Sequence, residues 1–309
     1  MSLRKRCLST YKVLGICISL NIFVIIAFFF IFFENSFYLR PEGQRICQHS
    51  PANILDKASK DNIYQAQREW RLSVFHTVDR LINTRAKKWE RFDIFQSITE
   101  ACPLPLQRVG LGSGEGKMLC ALEHVLKLSP VVISLGSAGD YSFEEALVSA
   151  QHAALVHTFD CTGDFEYRGK STGRITFHKK CLGVRNEISQ KGEQFITYNK
   201  MLEQLGNPYI GLLKMDIEGY EFEIIPAILE MRDKYLTVLI TVVVHYQTGI
   251  ADLRWSYRSK ENTRGPFGSG GKSAAELVLL SLSFMRKGYV LISKENNCGT
   301  CTELVFSKT

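Results

Sequence analysis

From Val131 onward, short apolar runs alternate with stretches whose apolar positions recur at helical spacing. The runs Val131–Leu135, Ala154–Phe159, Ile175–His178, Gly211–Met215 and Val238–Val244 are continuous rather than alternating, as expected of strands buried on both faces. Strands separated by helical segments predict an α/β fold around a parallel sheet, and the gaps are long enough for crossovers. The end of the chain differs. Gly288–Lys294 and Cys301–Ser307 are joined only by Glu295 to Thr300, a link too short for a crossover, so the pair reads as an antiparallel hairpin. Further upstream, Trp70, Val74, Val78 and Ile82 recur every fourth residue among charged positions, which predicts an amphipathic helix.

The segment from Val13 to Phe33 carries no charge, and about 20 apolar residues cross a bilayer as a helix. Arg4, Lys5, Arg6 and Lys12 precede it, with no acid before Glu34. The positive-inside tendency therefore leaves the first twelve residues cytoplasmic and carries the rest across. The expected layout is a cytoplasmic tail (1–12), a signal anchor (13–33), a polar stem (34–62), a helical segment (63–100) and a catalytic-sized domain (101–309). A cleaved signal peptide is the rival reading, disfavoured by the length of the apolar run and the absence of a small-x-small site. Those four basic residues supply +4 of the formal charge of +7. The remainder is too small and too mixed for a dedicated nucleic-acid binder. Cys47, Cys102, Cys120, Cys161, Cys181, Cys298 and Cys301 would face an oxidising lumen, where disulfides persist. Cys298-Gly-Thr-Cys301 has the spacing of a redox or zinc half-site, but nothing completes four ligands, and structural disulfides are the expected use.

Four strand ends carry candidate chemistry. The first predicted strand runs into Gly136-Ser137-Ala138-Gly139-Asp140, after which Ser142-Phe-Glu-Glu145 has the spacing of a capping box. Glycines let backbone approach a ligand closely, but a carboxylate at Asp140 would repel a pyrophosphate and suits a cationic, amino-acid-bearing ligand better. A bare strand-to-helix turn is the plain alternative. The next strand ends in Asp160, placed to accept hydrogen bonds from ribose hydroxyls or simply to cap a loop. Asp216 and Glu218 end a buried strand, where an uncompensated carboxylate is costly. They could bind a ligand's ammonium, act as a base or hold a divalent cation. His245 ends the following strand and reads either as a base or as a satisfied structural histidine. Gly110–Lys117 and Gly265–Lys272 approximate a phosphate loop, but each has one residue too many and follows no predicted strand.

Four stretches resemble one family. They are Glu115-Gly-Lys-Met-Leu-Cys120, Ser134-Leu-Gly-Ser-Ala-Gly-Asp-Tyr-Ser-Phe-Glu144, Leu213-Lys-Met-Asp-Ile-Glu-Gly-Tyr-Glu221 and the terminal Gly288 to Leu304 hairpin. In this order they are similar to the FkbM-type S-adenosylmethionine-dependent methyltransferases, and within them to membrane-anchored methyltransferase-like proteins. The resemblance implies a Rossmann-like, seven-stranded class I methyltransferase sheet whose last strand is antiparallel. It implies S-adenosyl-L-methionine as cofactor, with Gly136, Ser137, Gly139 and Asp140 around its methionine moiety, Asp160 at the ribose, and Asp216 with Glu218 on the sulfonium side. The strand-five carboxylate of that pattern is replaced by Val243-Val244 before His245. His245 is accordingly the first candidate base and Glu218 the second, with no metal expected. The expected activity is O-methylation of a glycan or other hydroxyl-bearing acceptor by a type II membrane protein of the Golgi or endoplasmic reticulum. A Golgi glycosyltransferase using Asp216 and Glu218 as a metal site is the runner-up, and a non-catalytic binding domain is the third reading.

Overall fold

The computed structural model describes residues 64–65, 68–69, 72, 102, 104–110, 116–245, 274–298 and 301–308, all within one unit, Pro51–Thr309. Its centre is a seven-stranded sheet of β3 (Val131–Leu135), β4 (Leu155–Phe159), β5 (Ile175–His178), β9 (Leu212–Met215), β10 (Leu239–His245), β11 (Tyr289–Cys298) and β12 (Cys301–Lys308). The spatial order is β11-β12-β10-β9-β3-β4-β5. Strands β10, β9, β3, β4 and β5 pair in parallel, while β12 is antiparallel to both neighbours. The terminal hairpin is tighter than the sequence suggests. Its first strand continues through the expected link to Cys298, which pairs with Cys301.

Alternation along each strand divides the core into two layers. Ile133, Leu135, Leu213, Met215, Ile240, Val242 and Val244 form one apolar face with helices α3 (Tyr198–Gln204), α4 (Glu221–Leu229) and α5 (Ala274–Arg286). Val132, Val156, Leu212, Leu239 and Val305 form the other with α1 (Leu122–Leu128) and α2 (Ser142–Ala150). On the first face the rings of Phe284 and Phe306, both fully buried, stack 3.8 Å apart. Truncating a phenylalanine in such a place costs about 3–5 kcal/mol.

Two small sheets flank this core. β1 (Gln107–Val109) and β2 (Lys117–Leu119) pair antiparallel, with Cys102 disulfide-bonded to Cys120 beside them. β6 (Cys181–Leu182), β7 (Glu187–Ile188) and β8 (Gln194–Ile196) make a three-stranded sheet. A second disulfide, Cys161–Cys181, ties the residue following Asp160 to β6. Cys301 is also disulfide-bonded. Among the described residues no helix is long and apolar enough to cross a membrane, and the expected span at 13–33 lies outside them. Of the expected amphipathic helix, Tyr64, Gln65, Arg68, Glu69 and Leu72 are helical, while Trp70, Val74, Val78 and Ile82 lie outside the described residues.

The chain leaves β3 towards β4 and β5 and returns to β9 on the other side of β3. The order therefore reverses between β3 and β9, and in open α/β sheets ligands bind outside the carboxyl ends of the strands at such a reversal.

Candidate functional site

Gly136 sits at that reversal. Its backbone has φ of +76°, and a Cβ on it would lie 1.7 Å from the carbonyl oxygen of Asp216. Only a glycine lets the ends of β3 and β9 meet this closely. Asp216 in turn donates its N–H to the Leu135 carbonyl. Beneath the turn, Lys214 is buried and its Nζ donates to the Gly136 carbonyl at 3.1 Å. The same nitrogen lies 3.7 Å from Oε1 of Glu144, which is fully buried on α2 and also accepts from the Ser134 hydroxyl. A charged pair thus braces the glycine turn from inside the core.

The expected capping box is not formed. Tyr141 occupies the cap position without a side-chain capping bond, its hydroxyl donating instead to the Phe165 carbonyl, and the Ser142 hydroxyl has no partner. Asp140 replaces it, accepting the Ser142 N–H at 2.8 Å as favourable charge at a helix start requires. Asp140 is exposed, whereas Ser137 is buried, with its hydroxyl 3.4 Å from the Gly139 N–H. Asp160 is 5% exposed. It accepts the Ala138 N–H at 2.9 Å, the Thr162 N–H at 2.9 Å and the Thr162 hydroxyl at 2.7 Å. One carboxylate therefore holds both the glycine turn and the loop after β4.

The turn forms one wall of a cavity of about 820 Å³ whose lining runs from Ala138 to Ser142 and from Asp164 to Gly169, with Glu145. Phe165 packs against the turn, since a Cβ on Gly139 would meet its ring at 2.9 Å. Asp140, Glu145, Asp164 and Glu166 give the lining an excess of acids over Arg168. Asp216, Glu218 and His245 are outside this lining, around the end of β9 where Asp216 meets Gly136.

There the turn after β9 brings three side chains together. His245 Nε2 lies 3.6 Å from Asp216 Oδ1 and 3.8 Å from Glu218 Oε1. Glu218 is held in the left-handed region at φ 55°, followed by Gly219 at φ 105°, an arrangement that costs of order 1–3 kcal/mol at a non-glycine residue and marks functional turns. Glu221, in the first turn of α4, is fully buried and was not singled out by sequence reasoning. Its carboxylate accepts the Ile217 N–H at 3.0 Å and the Gly219 N–H at 2.9 Å, and Oε1 lies 3.1 Å from His245 Nδ1. The signal for it was a third acid in the Lys-x-Asp-x-Glu-Gly-x-Glu run, placed where a helix turns its side chain back into the core. Burial alone would lower the His245 pKa. The hydrogen bond and charge of Glu221, with the charges of Asp216 and Glu218, outweigh it and hold that pKa above its ordinary value. The donor atoms of Asp216, Glu218 and His245 all lie within 4.8 Å of one another. They share one position for positive charge, open to a proton on His245, the charged side of a ligand or an ion.

A family model described as a methyltransferase domain matches residues 81–308. The chain belongs to that family. No curated protein matches it. Solved structures similar to it include an antibiotic-resistance methyltransferase, Kmr, at 15% identity, covering 66% of this chain and 100% of that one with a TM-score of 0.35. The human N-acetylserotonin methyltransferase in complex with SAM is 13% identical, covers 60% of this chain and 50% of its own, and has a TM-score of 0.32. The ribosomal protein L11 methylase from Lactobacillus delbrueckii subsp. bulgaricus is 10% identical over 61% and 76%, with a TM-score of 0.32. Similarities this low bear on neither substrate nor mechanism.

Proposed function

We propose that this methyltransferase-domain protein is an S-adenosylmethionine-dependent O-methyltransferase acting on a glycan or other hydroxyl-bearing acceptor. The observation that carries the proposal is the meeting of β3, β4 and β9. Gly136 abuts Asp216, and Asp160 grips the turn through Ala138. The residues suit this cofactor. The cavity beside the turn falls within the roughly 300–1,000 Å³ of small-molecule sites, and its acids favour a ligand bearing ammonium and sulfonium groups over a diphosphate.

When bound, S-adenosylmethionine supplies a methyl group carried on a positively charged sulfonium. Ser137 and Gly139 line the approach to its amino-acid end, with the Asp140 carboxylate at the mouth. Asp160 has three of its lone pairs committed to Ala138 and Thr162, so its first task is to fix the turn, with one lone pair left for a ribose hydroxyl. Asp216 and Glu218 supply negative charge beside the reacting centre. His245 receives the acceptor's hydroxyl proton at Nε2, the nitrogen that faces them, and Glu218 is the alternative base. Most of the remaining rate comes from holding the partners in place.

The cellular setting belongs to the same proposal. The uncharged segment 13–33 behind a basic tail makes this a type II, single-pass protein of the Golgi or endoplasmic reticulum. The disulfides of the domain support it, because they persist in an oxidising compartment. Family membership favours methyl transfer over glycosyl transfer.

Full-length protein incubated with methyl-labelled cofactor and secreted glycans tests the reading, with label on a hydroxyl oxygen as the expected product. His245→Gln should keep cofactor affinity and slow transfer by about 10²–10⁴-fold. Unchanged transfer in that variant would remove His245 as base. Hydrolysis of a nucleotide sugar in place of labelling would turn the assignment to the glycosyltransferase reading.

A further inference from the structure

Resting on His245 as the proton acceptor, we infer that the fully buried Glu221 is the positioning residue of the site. Its hydrogen bond fixes the imidazole tautomer and aims an unprotonated Nε2 at the acceptor. Burying Glu221 is costly. A carboxylate with no exposed surface carries a desolvation penalty of several kcal/mol, and among the described residues no lysine or arginine pairs with it. Bracing the turn does not call for a charge. The bonds from Ile217 and Gly219 N–H groups engage it only as an acceptor, a task that neutral oxygens perform at many turns.

The third contact accounts for the charge. Oε1 accepts and cannot donate, so His245 Nδ1 at 3.1 Å must carry the proton. In a neutral ring Nε2 then has the lone pair. That nitrogen faces Asp216 Oδ1 and Glu218 Oε1, and it is the direction from which a hydroxyl proton can arrive. Free imidazole side chains prefer the opposite tautomer, with the proton on Nε2, so without Glu221 the ring would present an N–H where a base is needed. The strand partner across from His245 is Cys301, which is disulfide-bonded and offers no competing charge. One carboxylate thus sets the loop that carries Asp216 and Glu218 and the ring that faces them.

The tautomer is directly observable. In full-length protein labelled with ¹⁵N at its seven histidines, with His245 assigned by loss of its signals in His245→Gln, long-range proton–nitrogen spectra at a pH where the ring is neutral should show Nδ1–H as the dominant form. Glu221→Gln cannot accept at both oxygen positions. Its amide either donates to Nδ1 or breaks the turn contacts, and the tautomer ratio should move towards Nε2–H by about tenfold or more. A wild-type ring found mainly as Nε2–H would overturn the inference even if Glu221→Gln fails to fold, and so would a folded Glu221→Gln with an unchanged ratio. Failure of the base reading is separate, because it would appear as undiminished methyl transfer in His245→Gln while leaving the tautomer as described.

Discussion

Gly136 shows how much of the site depends on a single atom. Its φ of +76° is already uncomfortable for other residues, and the Asp216 carbonyl occupies the space a side chain would need. Gly136→Ala should therefore lose on the order of 2–4 kcal/mol in urea unfolding and lose cofactor binding with it. An unfolding midpoint equal to that of the unmodified protein would contradict the close meeting of β3 and β9. At this scale Gly136, Asp160, Asp216 and His245 were legible because each ends a buried run, where a glycine or a polar group is out of place. Lys214 was visible inside Leu212-Leu213-Lys214-Met215, but its buried partner Glu144 was not. Neither was Glu221. An acid in a helix's first turn has an ordinary explanation in the helix dipole, and only the third dimension shows which ones turn inward.

Among the elements, the five parallel strands were legible to within one residue, since uninterrupted apolar runs leave little choice of boundary. The small β6-β7-β8 sheet was not, because strands of two or three residues show no periodicity. Ser142-x-x-Glu145 has capping-box spacing, yet Asp140 reaches the Ser142 N–H first and Glu145 turns instead to the Tyr167 hydroxyl at 3.0 Å. Strands β4 and β5 carry a further consequence. His157 Nδ1 and His178 Nε2 lie 3.1 Å apart, and the Phe159 ring stacks on His178 at 4.4 Å. Burial, then the charges of His157 and Lys180, lower the His178 pKa to about 4, and burial lowers that of His157 as well. In the unfolded chain a histidine takes its proton near ~6.5. Between these values the unfolded state binds a proton that the folded state does not. This contribution to stability is full above pH ~6.5 and declines as pH falls towards about 4. Unfolding titrations from pH 7 to 5 should show a steeper loss in the unmodified protein than in His178→Phe. Parallel slopes would mean that the pair is not held neutral.

For the molecule as a whole, order reversal between β3 and β9 gathers residues from four strand ends, and the two-layer core, the Cys102–Cys120 and Cys161–Cys181 disulfides and the buried Lys214–Glu144 pair hold those ends in register. The α/β class and the terminal antiparallel hairpin followed from periodicity and loop length, whereas the seven-stranded sheet with its antiparallel last strand was what the resemblance implied. The packing of Phe165 against the glycine turn did not, because Gly139 and Gly163 are distant in the sequence and meet only through its ring. The central claim is that the glycine turn, Asp160 and the β9 carboxylates grip one adenosyl methyl donor. Isothermal titration of the full-length protein with S-adenosylmethionine tests it most directly. Saturable binding at one site, weakened at least about tenfold by Asp160→Ala through loss of its charged hydrogen bonds, is the expected result. The absence of binding by a protein whose circular dichroism shows the fold intact would contradict the account.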